Sequence, residues 1–363
     1  MLLAGIRGAL VAAGIEHDKT NPIVSVVVPI LNEARTIDQT IESILGQSHS
    51  DLELLAVDGG SEDGTAEKLR EWTHRDQRVR VLSNPAKSIP AALNVGLRNA
   101  RGSYFVRVDA HSTIPSDYVE RIVNHLEAGV ADGVGAKKVA VGSPPSGSVI
   151  AAVLSSPFGV GGSAYHYATS VQETDHIPFG AYRVETVRSL GGWDDRLVAN
   201  EDYEFDVRLR AAGGQLLLDP TIEVEWRSRS RIREFAAQYR RYGRGKADVA
   251  VLHPSEIRIR HMAPPLAVAG LSLALVSLPW APWLSGLATA GYALLVVLMA
   301  LPIAGRLEAW SDRLKVPIVL AAMQLSWGLG VWQGLIRLVR HGFRVPPPSE
   351  DASRWGSPEW TVT

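Results

Sequence analysis

The stretch YFVRVDAHS, residues 104–112, places three ionisable side chains at alternate positions at the end of an apolar run. Side chains two residues apart point to the same side of an extended chain, so Arg107, Asp109 and His111 should share one face of a strand. A strand that ends in this way suits a ligand site at the edge of a sheet. Two other interpretations stay open: Arg107 as a paired structural residue, and Asp109 as a cap for the segment that begins at Pro115.

A second group of acids occurs in NEDYEF, residues 200–205, shortly after a loop that contains Gly-Gly-Trp. Glu201 and Asp202 are carboxylates that could exchange a proton with a bound hydroxyl group. Alternatively, Asn200 and these acids cap the helix that runs to Leu209, because negative charge is favourable at a helix N-terminus. The two roles are compatible.

Between residue 22 and about residue 233, short β-rich runs alternate with amphipathic helical patterns. The alternation predicts an α/β sheet that is parallel or mostly parallel, with helices on both faces. Four strands are predicted: Ile23–Ile30, Leu52–Val57, Val79–Leu82 and Ser103–Val108. Ligands of such sheets bind beyond the carboxyl ends of the strands.

The loops that follow these strands are PILNEA, DGGSEDGT, SNPAKS and DAHS. In the second loop, Asp58 and Asp63 lie among glycines and small hydroxyl side chains, so backbone amides and a carboxylate can approach a ligand closely. No G-x-G-x-x-G opens a helix and no Walker lysine motif is present, which argues against dinucleotide binding and P-loop chemistry. Cysteine is absent, which excludes disulfides, thiolate metal sites and a cysteine nucleophile.

Four segments in this order carry a resemblance: SVVVPILNEARTIDQTIESILGQ, VDGGSEDGT, ALNVGLRNARGSYFVRVDAHS and NEDYEFDVRLRAAG. Together they resemble the family 2 inverting glycosyltransferases with the GT-A fold, over residues 22–246. The DAH variant, the stretches GGWDDRLVANEDYEF and QYRRYGRGKA, and the apolar tail are similar to the membrane-associated glucosyltransferases of succinoglycan-type exopolysaccharide synthesis.

The resemblance implies that Asp58 receives the base of a nucleotide sugar. It also implies that Pro29, Asn32 and Glu33 line the same pocket. Leu93 stands where many relatives place an arginine before an asparagine. The positive charge for the donor pyrophosphate would then come from one of two other side chains, Lys87 or Arg107.

The resemblance further implies that Asp109 begins a metal motif in which His111 replaces the usual second aspartate. An imidazole nitrogen suits Mn²⁺ better than Mg²⁺, so Mn²⁺ is the first expectation and Mg²⁺ the second. Asp202 is the implied catalytic base. Glu201 would orient its neighbours or bind the acceptor, and Trp193 would either stack on an acceptor sugar or lie in the core.

Residues 226–260 contain ten Lys or Arg and three Asp or Glu, although the whole chain has a net charge of −1. Such a basic segment attracts anionic lipid headgroups. Within it, QYRRYGRGK is similar to the Q-x-x-R-W element of membrane polysaccharide synthases, which implies that Arg241 contacts the donor pyrophosphate or the acceptor. A solvated basic helix that only rests on lipid is the alternative. Nucleic-acid binding is not expected, because no aromatic platform accompanies the charge.

From Met262 to Gly305 the chain has no charged residue, which is enough for two membrane-spanning helices of about 20 residues each. A second uncharged run, Val316–Ile336, is a candidate third span. Three crossings would place the basic residues 337–344 opposite the catalytic side, against the positive-inside tendency. Buried helices of a soluble protein are the alternative to membrane spans.

The predicted domains are an N-terminal peripheral segment at 1–21, a GT-A domain at 22–250, a basic and membrane region at 251–345, and a tail at 346–363. The expected activity is transfer of a hexose from UDP-glucose to a lipid-linked saccharide or glycolipid in exopolysaccharide or cell-envelope glycan synthesis. The expected location is the plasma membrane, or inner membrane, with the catalytic domain in the cytoplasm. Two alternatives stay open: a non-catalytic nucleotide-sugar-binding or scaffold subunit, and a polyprenyl-phosphate sugar transferase.

Overall fold

A computed structural model describes residues 24–346 of the chain. The predictions for the segment 1–21 and for the tail beyond residue 346 lie outside the described residues. The described chain forms two compact units. The sheet unit contains residues 24–138 and 168–226, and the helical unit contains residues 139–167 and 227–346.

The described residues form one sheet of nine strands. These are β1 (Val24–Ile30), β2 (Leu52–Asp58), β3 (Val79–Ser83), β4 (Tyr104–Arg107), β5 (Ser112–Thr113), β6 (Gly133–Val141), β7 (Gln172–Glu173), β8 (Ala181–Arg183) and β9 (Leu216–Arg227). Their order across the sheet is β3-β2-β1-β4-β8-β6-β9-β5, and β7 pairs with β9.

The helices of the described residues are α1 (Ile37–Leu45), α2 (Thr65–Arg75), α3 (Ile89–Asn99), α4 (Tyr118–Glu127), α5 (Gly147–Leu154), α6 (Pro157–Val160), α7 (Val184–Ser189), α8 (Glu201–Ala211), α9 (Ile232–Leu252), α10 (Ala263–Ser277), α11 (Pro282–Ala304) and α12 (Trp310–Arg340). Helix α1 shows why the sequence forms these elements. Its isoleucines at 37, 41 and 44 recur at helical spacing and are fully buried.

The four strands predicted from the sequence form the parallel half of the sheet. Ile30 of β1 lies opposite Asp58 of β2, and Asp58 lies opposite Ser83 of β3. On the other side of β1, Val27 lies opposite Arg107. The carboxyl ends of these strands therefore meet at one edge. Strands β8 and β6 then continue the sheet in antiparallel pairing, so the sheet is mixed.

Close helix packing characterises the helical unit. A Cβ atom on Gly243 of α9 would collide with the carbonyl of Trp327 on α12, and one on Gly330 of α12 would collide with the backbone of Arg240. Glycine at both positions therefore lets the two helix backbones approach closely. Helix α9 carries the basic sequence, so this packing joins the basic segment to the last apolar helix.

Three helices of the described chain are long and apolar enough to cross a membrane: Ile259–Ser277, Pro282–Ala304 and Trp310–Arg340. Large apolar side chains such as Leu273, Leu287 and Leu301 are exposed on them. Exposed apolar surface on this scale is unusual for a protein in water and is expected where lipid covers it.

Candidate active site

The loops after β1 and β2 are tied together at the carboxyl edge. The backbone N–H of Asn32 donates to Ser61 Oγ at 2.9 Å, and Asn32 Oδ1 accepts from the backbone N–H of Glu62 at 2.9 Å. The Ser61 hydroxyl in turn donates to Asp58 at 2.6 Å. Pro29 precedes this region in β1. The first two loops thus form a fixed wall in which Asp58 is partly exposed.

Lys87 lies over the glycine-rich turn of this wall. Its stem is next to Gly60, because a Cβ atom at Gly60 would be 3.9 Å from Lys87 Cε. Gly60 has a φ of 79°, a left-handed conformation that suits glycine. Lys87 is exposed, so its ammonium group is available to an anionic ligand near Asp58.

Arg107 joins three carboxylates from two elements. Its guanidinium lies 3.1 Å from Glu201 Oε1, 3.3 Å from Asp109 Oδ1 and 3.5 Å from Asp202 Oδ2. Burial disfavours the charge on Arg107, but the three carboxylates outweigh burial and raise its pKa. Because Arg107 is already paired with several carboxylates, its position favours the structural interpretation over a pyrophosphate contact.

The three carboxylates differ in exposure. The side chain of Glu201 is 5% exposed, that of Asp109 is 20% exposed, and that of Asp202 is 31% exposed. The position of Glu201 therefore favours a role in orienting Arg107 over direct contact with the acceptor. Burial and the neighbouring Asp202 raise the pKa of Glu201.

Asp202 is the second residue of α8, and its Oδ1 accepts from the backbone N–H of Tyr203 at 2.8 Å. Burial opposes ionisation of Asp202, but the positive charges of His176 and Arg107 outweigh it and lower the pKa of Asp202. The carboxylate is therefore ionised and partly open to solvent, as a general base must be. The side chain of Asn200 makes no capping hydrogen bond to this helix.

His111 has a partner on each ring nitrogen. The indole N–H of Trp226 donates to His111 Nε2 at 2.8 Å, and His111 Nδ1 lies 3.3 Å from Glu33 Oε1. Nε2 is therefore the acceptor nitrogen, and the proton lies on Nδ1 facing Glu33. Ligation of a metal through Nε2 would require the Trp226 hydrogen bond to break.

The donor chemistry of Asp109 and His111 nevertheless suits a divalent cation. Burial opposes the charge on Asp109, but Arg107 and Lys138 lower its pKa, so it is a carboxylate at neutral pH. Within residues 24–346 no group of three or more His, Cys, Asp or Glu could hold a metal alone. Two protein donors are sufficient only for a cation that also binds substrate phosphates.

Two predicted residues occupy other environments. Trp193 is 3% exposed, and its ring packs against Phe105 and Phe205 at centroid distances of 5.0 and 5.1 Å. This packing favours the core interpretation of Trp193 over the sugar-stacking one. Arg241 lies on α9 of the helical unit, where its guanidinium is 5.8 Å from the ring of Tyr242. Its contact with the donor or the acceptor stays a prediction.

Asp109 also does not cap the following helix. Helix α4 begins at Tyr118 with Asp117 at its N-cap position. The DAHS loop is held instead by Thr40, whose hydroxyl donates to the carbonyl of Ala110 at 2.9 Å.

Sequence reasoning missed Lys138. Its ammonium group lies 4.0 Å from the ring centroid of Trp226 and interacts electrostatically with Asp109 and Asp202. Burial lowers the pKa of Lys138. The signal was present in β6, because strand alternation places residue 138 on the same face as the buried Val134 and Ala136.

The protein has a mixed α/β sheet, and the carboxyl edge of its parallel strands carries these loops and acids. This arrangement is that of the GT-A glycosyltransferases, as predicted. The chain matches the model of "Glycosyl transferase family 2" over residues 25–149 and that of "Glycosyl transferase family group 2" over residues 104–306. The chain belongs to glycosyl transferase family 2, and the protein is a glycosyltransferase.

Individual relatives agree with this assignment. The chain is 33% identical to the succinoglycan biosynthesis protein ExoA of Rhizobium meliloti (strain 1021), over 86% of this chain and 94% of the relative. It is 25% identical to dolichyl N-acetyl-alpha-D-glucosaminyl phosphate 3-beta-D-2,3-diacetamido-2,3-dideoxy-beta-D-glucuronosyltransferase of Methanococcus voltae, over 61% of this chain and 72% of the relative.

The fold is shared with a solved structure, the mannosyltransferase PcManGT from Pyrobaculum calidifontis in complex with GDP-Man and Mn²⁺. The TM-score is 0.55 at 21% identity, and the match covers 92% of this chain and 94% of that chain. The predicted α/β class and GT-A architecture are confirmed.

Proposed function

We propose that this glycosyltransferase moves a hexose, glucose, from UDP-glucose to a lipid-linked saccharide with inversion at the anomeric carbon, in exopolysaccharide or cell-envelope glycan synthesis. Two relatives support the substrate classes. One is named for succinoglycan biosynthesis, and the other is named for a transfer to a dolichyl-linked sugar phosphate.

The observation that carries the proposal is the partly exposed Asp202, which lies next to the buried Arg107 at the same edge as Asp109. In the proposed reaction Asp202 removes the proton of an acceptor hydroxyl group. The hydroxyl oxygen forms a bond to the anomeric carbon, the bond from that carbon to the diphosphate breaks, and UDP leaves. Arg107, which is itself paired with Glu201, holds Asp202 in place from the buried side.

The donor would occupy the edge formed by the first two loops. Asp58 would receive the uracil base, Asn32 and Glu33 would line the pocket beside Pro29, and Lys87 would contact the diphosphate. The hydrogen bonds that join these loops keep the wall in place before the donor arrives, which reduces the entropy lost on binding.

Asp109 and His111 would hold a divalent cation, Mn²⁺ or Mg²⁺, that arrives with the donor. When bound, such a cation stabilises negative charge on the departing diphosphate. A relative of the same fold was solved with Mn²⁺. In this chain His111 would bind the cation through Nε2 only when its hydrogen bond with Trp226 is broken.

The acceptor would be reached at the membrane. The three apolar helices provide two or three spans, and the basic helix α9 would lie against anionic headgroups of the plasma or inner membrane on its cytoplasmic side. A lipid-linked acceptor and a membrane-held enzyme share one surface, which raises the rate of encounter. Arg241 would contact the lipid-linked acceptor or the donor diphosphate.

The test is transfer of label from a panel of nucleotide sugars into membrane lipid, with Mn²⁺ and Mg²⁺ in parallel. Asp202→Asn should lower kcat by at least about 100-fold while nucleotide binding stays intact. The matched control is Asp38→Asn, because Asp38 is also the second residue of a helix and is also partly exposed beside a cation. Equal transfer by wild type and Asp202→Asn would refute the base. Donor binding without turnover on any acceptor would refute the enzymatic role.

A further inference from the structure

A histidine that the proposed reaction does not yet use lies next to Asp202. His176 is in the segment between β7 and β8, and its Nε2 lies 3.9 Å from Asp202 Oδ2. The side chain of His176 is 13% exposed, so the imidazole is largely covered by protein. It is close enough to Asp202 for the charge of one group to affect the pKa of the other.

A buried carboxylate fixes the orientation of this imidazole. Asp206, one helical turn after Asp202 on α8, is fully buried and lies 2.7 Å from His176 Nδ1. The same carboxylate accepts from the backbone N–H of Ile177 at 3.0 Å and from the hydroxyl of Tyr182 at 2.8 Å. With Nδ1 held by Asp206, the opposite nitrogen Nε2 is turned toward Asp202. A carboxylate on one imidazole nitrogen is a common way to fix ring orientation and to favour the protonated ring.

The groups around His176 are predominantly acidic. Burial alone would lower the pKa of His176, but the nearby carboxylates reverse this and raise the pKa above its ordinary value. Burial also raises the pKa of Asp206, against the hydrogen bond from His176. The titratable and charged groups facing the pair are Asp175, Asp202, Asp206, Tyr182, Tyr203, Arg107, Glu201 and Lys138.

We propose that His176, oriented by Asp206, is a positioning residue that holds a positive charge beside Asp202 and keeps this carboxylate ionised before the acceptor binds. This inference rests on the proposed function, in which Asp202 is the base. The imidazolium and Arg107 flank Asp202 from separate parts of the chain, and Lys138 adds a third positive charge that acts on the same carboxylate. The proton that Asp202 later takes from the acceptor remains on Asp202 until solvent removes it.

The predicted signature is a shift in pH dependence. If His176 is a charged neighbour, its replacement removes one of the cations that lower the pKa of Asp202. In His176→Asn the acid limb of log(kcat/KM) should then move to higher pH by about 1 unit. Asparagine keeps a side-chain N–H that can reach Asp206, so the hydrogen bond to the buried carboxylate can persist.

A matched control exists in the same unit. His125 Nε2 lies 2.9 Å from Asp219 Oδ2, so this histidine also pairs with a carboxylate, but with none of the acids at the carboxyl edge. His125→Gln should leave the acid limb where the wild type has it. If His176→Asn loses activity by the same factor at every pH, with its acid limb unmoved, His176 is only structural and the inference is overturned.

A second measurement does not depend on turnover. Histidine side chains labelled with ¹³C in the full-length protein in detergent can be titrated by NMR, and His176→Asn identifies the His176 signal. The pKa of His176 should fall by at least about half a unit in Asp202→Asn. An unchanged His176 titration overturns the inference. If the wild type transfers no sugar, the proposed function fails, and this titration still decides whether the pair is coupled.

Discussion

Replacing Arg107 by glutamine should destabilise the sheet unit, and more so at pH 8 than at pH 5. Arg107 is the shared partner of Glu201, Asp109 and Asp202, and its side chain is only 10% exposed. Glutamine is shorter and carries no charge. The variant would therefore leave a buried glutamate and two partly buried aspartates without the cation that lies between them.

The size of the effect follows from that burial. Removing one partner of a buried ion pair costs about 3–5 kcal/mol, because the remaining charge stays desolvated. Taking the lower figure, and about 2–4 °C per kcal/mol for a unit of this size, the apparent Tm should fall by about 6–12 °C at pH 8. A surface pair would give about 1 kcal/mol or less.

The pH dependence has a definite sign. In the wild type the charge of Arg107 opposes the effect of burial, which raises the pKa of Glu201 and acts in the same direction on Asp202. Without it, the folded variant holds protons on these carboxyls to a higher pH than the folded wild type does. Stability then decreases as pH rises through the folded pKa and recovers on acidification. The deficit relative to wild type should therefore shrink between pH 8 and pH 5.

The assay is thermal unfolding of the full chain in detergent with a chelator present, at several pH values. Arg78→Gln is the control, since Arg78 makes a bidentate pair with Asp76 in which both side chains are about a quarter exposed. The apparent Tm of the control should fall only slightly, and the decrease should be similar at each pH. A deficit in Arg107→Gln that stayed constant or grew on acidification would refute the electrostatic account.

Two further predictions concern aromatic residues. Trp226→Phe removes the N–H that donates to His111 Nε2. This variant should bind Mn²⁺ about 3- to 10-fold more tightly in the presence of UDP, as measured by calorimetry. Unchanged affinity would argue against His111 as a metal ligand. Trp193→Ala should cost about 3–5 kcal/mol of stability, and Trp193→Phe less, because the ring lies in the core. Neither Trp193 variant should change KM for the acceptor, and a raised KM in the stable phenylalanine variant would contradict the core assignment.

The ends of the parallel strands and the positions of the charged residues at those ends were predictable, because both depend on local sequence signals. Continuous apolar runs located the parallel strands, and strand alternation placed Arg107 and Asp109 at the same edge. The order of the motifs along the chain then indicated which loops would face one another. The loop that begins at Asp58 does lie against the loop containing Asn32.

Partners that come from distant or irregular segments were not predictable. His176 lies in a stretch without hydrophobic periodicity, 30 residues before the carboxylate that orients it. The pairing of His111 with Trp226 spans 115 residues and depends on the antiparallel register of β5 with β9. The burial of Trp193 was not predictable for a similar reason. The two rings that cover it, Phe105 and Phe205, come from a strand before it and a helix after it in the sequence.

Three carboxylates around one guanidinium raise the question of which of them can act as the base. A base must touch the acceptor hydroxyl, and Glu201 cannot do so while its side chain is 5% exposed and paired with Arg107. Asp109 is more exposed, but its Oδ1 accepts from two nitrogens of the Arg107 guanidinium, and the proposed function assigns this carboxylate to the cation. Asp202 reaches solvent at the N-terminus of its helix and retains a backbone hydrogen bond on only one oxygen. Burial therefore selects one working carboxylate from three neighbours, and the shared arginine reduces the electrostatic repulsion among them.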